Sequence, residues 1–300
     1  MLRKQGRRIV NRLKREVAKR RNLAVRRSPN LKYVILTMTR GAENRIEEWV
    51  RYHAGIGITD FHIVLDNPID DTESVLKRTC AELNVGLIVE VKEASGDYHD
   101  GLSLEERRQK RKDWREKQTE LNKSKGYPKV YNFSPQARRQ FIYFSEILTD
   151  YDERSKNGEH GWVAVIDDDE FISPIKWPDI PSMTGAFPEA VRLRLHNFDF
   201  DTSDHDPAKP FLEQHFYRWS RAGIEAHGNG WEKRFKTLVW WGHLSPFMSV
   251  HIVSKGKAQI IDHEDARLHH FRIPNHGMID YDVRDESTLE KWIVSHTPKD

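Results

Sequence analysis

Between residues 33 and 91, short apolar runs alternate with amphipathic stretches, and this alternation constrains the fold more than any other feature of the chain. Segments 33–38, 61–65 and 86–91 are short, β-rich and nearly free of charge, as strands are, and the first of them reads as a buried one. Between the first two, residues 43–54 put Ile46, Trp49, Val50 and His53 on one helical stripe, closed by Gly55 and Gly57. Thr72–Leu83 predicts a second helix. Strand, helix, strand, helix, strand in this order predicts an α/β fold with a mostly parallel sheet and right-handed crossovers. Ligands of such sheets bind at the carboxyl ends of the strands.

A further apolar run, 162–166, delivers Asp167-Asp168-Asp169-Glu170-Phe171 to such an end. Buried anions cost several kcal/mol each unless compensated, so these aspartates must meet water, a cation or a metal. Hard divalent cations prefer carboxylate oxygens, and magnesium takes one or two of them beside phosphate oxygens. Asp167 and Asp169, two apart, reach a shared ion if the strand opens into a turn, with Asp168 between them on the ligand side. Thr37, Arg40 and Asp66 fall at other strand ends and are candidates to line a nucleotide, with Lys236 as a point charge for phosphate.

The remaining pattern bounds the architecture. At 300 residues the chain holds one large α/β domain or two small ones. Its net charge of +3 implies no global polyanion partner. Residues 1–27 nevertheless carry twelve Lys/Arg and one acid, with Ile9, Val10, Leu13 and Val17 on one face. A basic arm over 1–30 is expected, suited to an anionic membrane surface or to nucleic acid. Residues 97–126 form a charged insertion. Residues 135–151 predict a helix facing inward through Phe141, Phe144, Ile147 and Leu148, followed by a polar loop over 152–161. Strands are expected at 191–196, 236–240 and 249–253, and a terminal helix at 286–295. The single cysteine, Cys80, excludes an intrachain disulfide and predicts a buried thiol. No stretch is long and apolar enough to span a bilayer and no secretory h-region is present, so a cytoplasmic protein is expected, with the arm open to a peripheral place at the inner face of a membrane.

One ordered set of motifs goes further. Glu48-Trp49, Tyr52-His53 and Gly57 lie on the first helix and its end, Asp66-Asn67 ends the next strand, and Trp162 stands five residues before Asp167-Asp168-Asp169-Glu170-Phe171. This resembles the Glu-Trp-x-x-Tyr-His, Asp-Asn and Trp-x-x-x-x-Asp-x-Asp-Glu-Phe series of family-2-like and family-92-like glycosyltransferases. Leu195-His196-Asn197-Phe198, Lys236-Thr237, His251 and His269-His270-Phe271 follow in the expected order, so the resemblance spans about residues 32–275. It implies a GT-A fold (a Rossmann-like sheet flanked by helices) in a single domain over 31–300. It also implies a nucleoside-diphosphate sugar as donor, UDP-sugar favoured, a glycan or polysaccharide hydroxyl as acceptor, and Mn²⁺ or Mg²⁺. Asp167 and Asp169 would hold the metal, completed by His270 or else His251, and inversion would draw its base from Asp201, Asp204 or Glu213. Departures fall at Gly41-Ala42-Glu43-Asn44, at the residue after Asn67, and at Asp199, where the family has glycine. Two other classes fit the residues: a nucleotidyltransferase using the same paired aspartates, and a non-catalytic binder built on the basic arm.

Overall fold

A computed structural model describes residues 28, 30–93, 102–125, 135–226, 228, 230–251, 253, 254, 256–273 and 281–296. The basic arm and the two ends of the charged insertion lie outside them. The alternating segment forms two consecutive βαβ units: β1 (Lys32–Thr39), α1 (Ile46–Gly55), β2 (Asp60–Asp66), α2 (Thr72–Leu83) and β3 (Gly86–Lys92). These strands pair in parallel, β1 with β2 and β2 with β3. Helices α3 (Leu104–Lys125) and α4 (Pro135–Lys156) precede β4 (Gly161–Val165), which lies parallel to β1 on its other side. Gly161 is needed there, because a Cβ would sit 2.5 Å from the Lys32 carbonyl.

The second half contributes β5 (Glu170–Ser173), α5 (Ile180–Gly185), β6 (Arg192–Asp199), β7 (Tyr217–Arg218), α6 (Arg221–Ala226) and β8 (Phe235–Trp240). Then come β9 (Gln259–Ile260), β10 (Arg267–His270), β11 (Val283–Arg284) and α7 (Ser287–His296). The large sheet runs β3-β2-β1-β4-β8-β6-β10-β5, with β9 beside β6, while β11 and β7 pair separately. Strand β8 is antiparallel to both β4 and β6, and β10 is parallel to β6. Strands β1, β2, β4, β6 and β10 therefore end at one edge of the sheet, and β8 begins there.

Alternation along β1 sorts the core into two layers. Tyr33 and Ile35 pack with Trp49, Val50 and Leu76 of α1 and α2, whereas Val34, Leu36 and Met38 pack with Phe144, Ile147 and Leu148 of α4. The sheet is thus covered by helices on both faces, the arrangement that parallel strands require. Cys80 is buried, as expected. No helix among the described residues is long and apolar enough to cross a membrane.

Local differences from the expectations have identifiable causes. Helix α4 runs on to Lys156, because Asp152, Glu153 and Arg154 are solvated on a helix rather than in a loop, and the turn comes at Gly158 with φ +94°. Helix α1 starts at Ile46, after a turn in which Arg45 and Ile46 both donate to the Ala42 carbonyl. The described residues of 249–253 form no strand, although their alternation imitates one. The expected turn is present at Asp168 and Asp169, closed by the Glu170 N–H on the Asp167 carbonyl at 3.1 Å, and β5 follows it directly.

Trp49 and His53 are core residues, both fully buried. Removal from water pushes the His53 imidazole down to about 3, against the pull of the Trp49 carbonyl. The ring is therefore neutral in the folded chain, whereas the unfolded chain takes up a proton below about pH 6.5. Its contribution is complete above that pH and falls as pH drops toward 3, by at most about 1.4 kcal/mol per pH unit. Denaturant midpoints should accordingly decline between pH 7 and pH 5, and His53→Gln should flatten that decline. An unchanged slope in the variant would show that His53 does not titrate on unfolding.

Candidate active site

The carboxyl edge of the sheet gathers charged groups from β2, β5, β6, β8 and β10, from the turn after β4, from the turn before α1 and from α4. Asp167, just past β4, holds the Lys236 ammonium at 2.8 Å through Oδ2 and accepts Gln140 Nε2 of α4 at 3.3 Å. Lys236 stands near the start of β8 and is 1% exposed. Its Nζ is also 2.8 Å from Glu170 Oε2, so one ammonium is shared by two carboxylates. Glu170 in turn accepts the Asp167 backbone N–H at 2.8 Å and the Asn197 amide at 2.8 Å. Removal from water opposes ionisation of Asp167, but Lys236 more than offsets it and holds the carboxyl at about 2. Burial likewise works against the Lys236 charge, and Asp167 and Glu170 raise its pKa above the usual value.

Asp168 turns the other way. It accepts Thr39 Oγ1 at 2.6 Å, from the end of β1, and Arg45 Nη2 at 2.6 Å, from the turn before α1. Asp169 faces β10, with Oδ2 3.4 Å from His270 Nε2. His270 Nδ1 is braced at 2.8 Å by Asp199 Oδ1 at the end of β6, and Arg234 Nη2 lies 2.9 Å from the other Asp199 oxygen. Burial alone would depress His270, yet the carboxylates of Asp169 and Asp199 on either side lift it to about 10.

The fit of these residues to a divalent cation can be judged from Asp169. Its Oδ1 is buried and has no hydrogen-bond partner among the described residues. Beside it stands a histidine whose far nitrogen is held by a second carboxylate, the outer support that metal-binding histidines usually have. A divalent ion and the imidazolium proton would compete for the same place between Asp169 and His270, because a ligating imidazole must be neutral. Among the described residues no three His, Cys, Asp or Glu side chains are grouped so as to hold a metal unaided. Two protein ligands suffice only where phosphate oxygens and water complete the shell, as magnesium commonly arranges.

The other expected residues are placed as follows. Thr37 is fully buried in β1, and its hydroxyl lacks a partner among the described residues. Arg40 Nη1 donates to the Asn67 carbonyl and lies 3.4 Å from that of Asp66, joining the ends of β1 and β2. The Asp66 carboxylate is buried and takes Arg139 Nε of α4 at 2.9 and 2.8 Å. His251 is exposed, with Nδ1 3.3 Å from the Phe235 carbonyl at the start of β8. Asp201, in the loop after β6, accepts the Ser203 N–H at 3.0 Å and its hydroxyl at 2.8 Å, while Asp204 and Glu213 are exposed in the same loop region.

Arg45, Arg139, Gln140, Asn197 and Asp199 were not among the candidates from sequence. Asn197 and Asp199 do carry a signal there. They share the β6 face of Leu193 and Leu195, and polar residues on the buried face of a strand near its carboxyl end mark a site. Arg45, in a turn, and Arg139 and Gln140, on the first turns of a helix, look like ordinary solvated positions in one dimension.

The sequence matches no protein-family model. No curated protein matches it significantly. The reading of the site therefore stands on the order of the motifs and on this geometry.

Proposed function

We propose that the chain is a metal-dependent glycosyltransferase with a GT-A fold, moving a sugar from a nucleoside-diphosphate donor, UDP-sugar favoured, to a glycan hydroxyl with inversion. The observation that carries this reading is the meeting of Asp169, with its unpaired oxygen, and the braced His270 at a sheet edge shared with Arg40, Asp66 and Lys236. Ligands of open α/β sheets lie at that edge. An ion held by Asp169 and His270 would neutralise charge on the departing diphosphate.

The chain's own residues supply the rest. Lys236 keeps Asp167 ionised and holds both Asp167 and Glu170 in place. Arg45 and Thr39 keep Asp168 from rotating toward the ion. Asp199 fixes the orientation of His270. In the transfer, the anomeric carbon–phosphate oxygen bond breaks and its electron pair leaves on the diphosphate. A bond from the acceptor oxygen to the anomeric carbon forms on the opposite face. The acceptor proton goes to a carboxylate of the loop after β6, which carries Asp201, Asp204 and Glu213. The basic arm would govern where the enzyme sits, at an anionic membrane surface, and not its chemistry.

The test is nucleotide release from UDP-, GDP- and CMP-sugars with and without Mn²⁺, for the wild type and Asp169→Ala. Metal-dependent release of nucleoside diphosphate from one donor, reduced at least about 100-fold in the variant, is the expected result. Metal-dependent release of pyrophosphate from a nucleoside triphosphate, with no release of nucleoside diphosphate from the sugar donors, would point to nucleotidyl transfer instead. Silence with every donor, together with no nucleotide binding by calorimetry, would overturn the reading.

A further inference from the structure

Strand β5 carries the distal half of the acidic cluster and is the outermost strand at its end of the sheet. It pairs only with β10, Glu170 opposite His270 and Ile172 opposite Leu268. Its other edge would ordinarily need a further strand or water, since backbone donors and acceptors are rarely left buried and unpaired. Side chains of α1 take that place. Trp49 Nε1 donates to the Glu170 carbonyl at 2.8 Å, and the Tyr52 hydroxyl donates to the Ile172 carbonyl at 2.8 Å. His53 Nε2 accepts the Ile172 N–H at 3.3 Å, while its Nδ1 lies 2.8 Å from the Trp49 carbonyl, which fixes the tautomer. The three rings stand at i, i+3 and i+4, one face of one helix, matched to alternate residues on one edge of one strand.

The neighbouring residue extends the same device to a second segment. Glu48 accepts the Phe211 N–H at 2.6 Å and the Leu212 N–H at 2.7 Å, at the start of the short 3₁₀ turn Phe211–Glu213. That turn closes the region holding Asp201, Asp204 and Glu213. A single helix face thus grips the strand that carries Glu170 and the loop that carries the candidate bases.

The geometry points to Glu48, Trp49, Tyr52 and His53 as positioning residues that set the place of the acidic cluster relative to His270 and to the loop after β6. This rests on the proposed metal–nucleotide site. None of the four is part of the ion pairs described there. They act through the backbone: the Trp49 indole holds Glu170, whose carboxylate fixes the Asp167 N–H and Lys236. Asp169 precedes Glu170 directly, so a slip of β5 along α1 would displace its unpaired oxygen from His270.

Tyr52→Phe deletes one polar atom and keeps its ring, and Trp49→Phe removes the indole N–H and leaves a smaller ring in the core. Two measurements on the full chain separate positioning from bulk packing. In hydrogen exchange, the double variant should lose protection at least 10-fold at amides 167–172 while amides of β1 to β3 keep theirs. In calorimetry, Mn²⁺ binding in the presence of UDP should weaken at least 10-fold, with UDP binding in EDTA changed less than 2-fold. Equal loss of protection throughout the sheet, or unchanged Mn²⁺ affinity despite local loss of protection, would overturn the inference. Failure of the glycosyltransferase reading appears separately, as a wild type that binds neither UDP nor Mn²⁺. Failure of the positioning role appears instead with a wild type that binds both, as a variant that either binds Mn²⁺ as tightly or loses protection equally throughout the sheet.

Discussion

Lys236→Met is expected to destabilise the protein by about 3–5 kcal/mol and to abolish nucleotide binding. Removing one partner of a buried ion pair leaves the other charge uncompensated, which costs far more than the intact pair contributes. Here one ammonium serves two carboxylates, and its side chain is 1% exposed, so water cannot take its place. Glu170 is equally buried and would have to become protonated. Asp167 keeps 35% of its side chain exposed and would reorient toward solvent, out of the site. Guanidinium denaturation measures the first effect and calorimetry with UDP the second. The double variant Lys236→Met/Glu170→Met separates the causes. If the orphaned charge dominates, the second substitution restores about half or more of the lost stability; additive losses would assign the cost to packing instead.

Asp285→Asn should cost a similar amount, about 3–5 kcal/mol, in a second ion cluster that does not include Lys236. Asp285 is buried between Arg218 Nε and Arg267 Nη2, and His269 Nε2 lies 3.4 Å away. Two cations share one anion there, and deleting its charge would leave the guanidiniums facing each other with only the exposed Glu264, 3.6 Å from Arg267 Nη1, as a counter-charge. The same carboxylate accepts the Ser287 hydroxyl at 2.8 Å, and His269 Nδ1 lies 2.9 Å from the Thr288 hydroxyl, so the cluster fastens α7 to the sheet. Burial opposes ionisation of Asp285, but its basic neighbours override it and depress the pKa well below 3.8. Burial pushes His269 itself down to about 3, so at neutral pH it acts as a neutral partner and the guanidiniums supply the charge. A carboxylate with a depressed folded pKa contributes fully above its unfolded value, near 3.9, and loses that contribution as pH falls further. Wild type and Asp285→Asn should differ most above about pH 5, and their denaturation midpoints should converge as pH drops below 4. A constant gap down to pH 2 would mean that the side chain acts by shape and hydrogen bonding alone.

The first half of the fold was legible because its signals are local. Each of β1, β2 and β3 is a short, mostly apolar and β-rich run, and α1 and α2 show their inner stripes within a few turns. The second half was legible only in pieces. Strands β5 and β10 have four residues each, β9 has two, and long-range pairing defines them rather than periodicity. The acidic cluster itself was plain, and so was its place at a strand end. Its compensation was not. Lys236, Arg45 and His270 come from β8, the turn before α1 and β10, and no spacing in the sequence records that these three meet three adjacent aspartates and Glu170, or that Asp199 of β6 braces His270. Trp49, Tyr52 and His53 show the same limit in another form. Their helical spacing announces burial, and burial is found, but the hydrogen bonds that their polar atoms make to β5 depend on where the chain returns.

The reversed direction of β8 has a consequence for how the chain folds. Strands β1 to β3 are joined by short crossovers and can pair as soon as their own helices form. Strand β4 has a parallel neighbour in β1, but its other edge waits for β8, which must pass the site, turn and come back between β4 and β6. Only then can β10 settle beside β6 and bring His270 to Asp169. Such non-local pairings carry a large loop-closure entropy and form slowly. In refolding from denaturant, exchange protection of the β8 and β10 amides should therefore trail the recovery of helical signal. A ligand for this edge would also act as a fastener, because it binds only the state in which the first strand and the last strands have met.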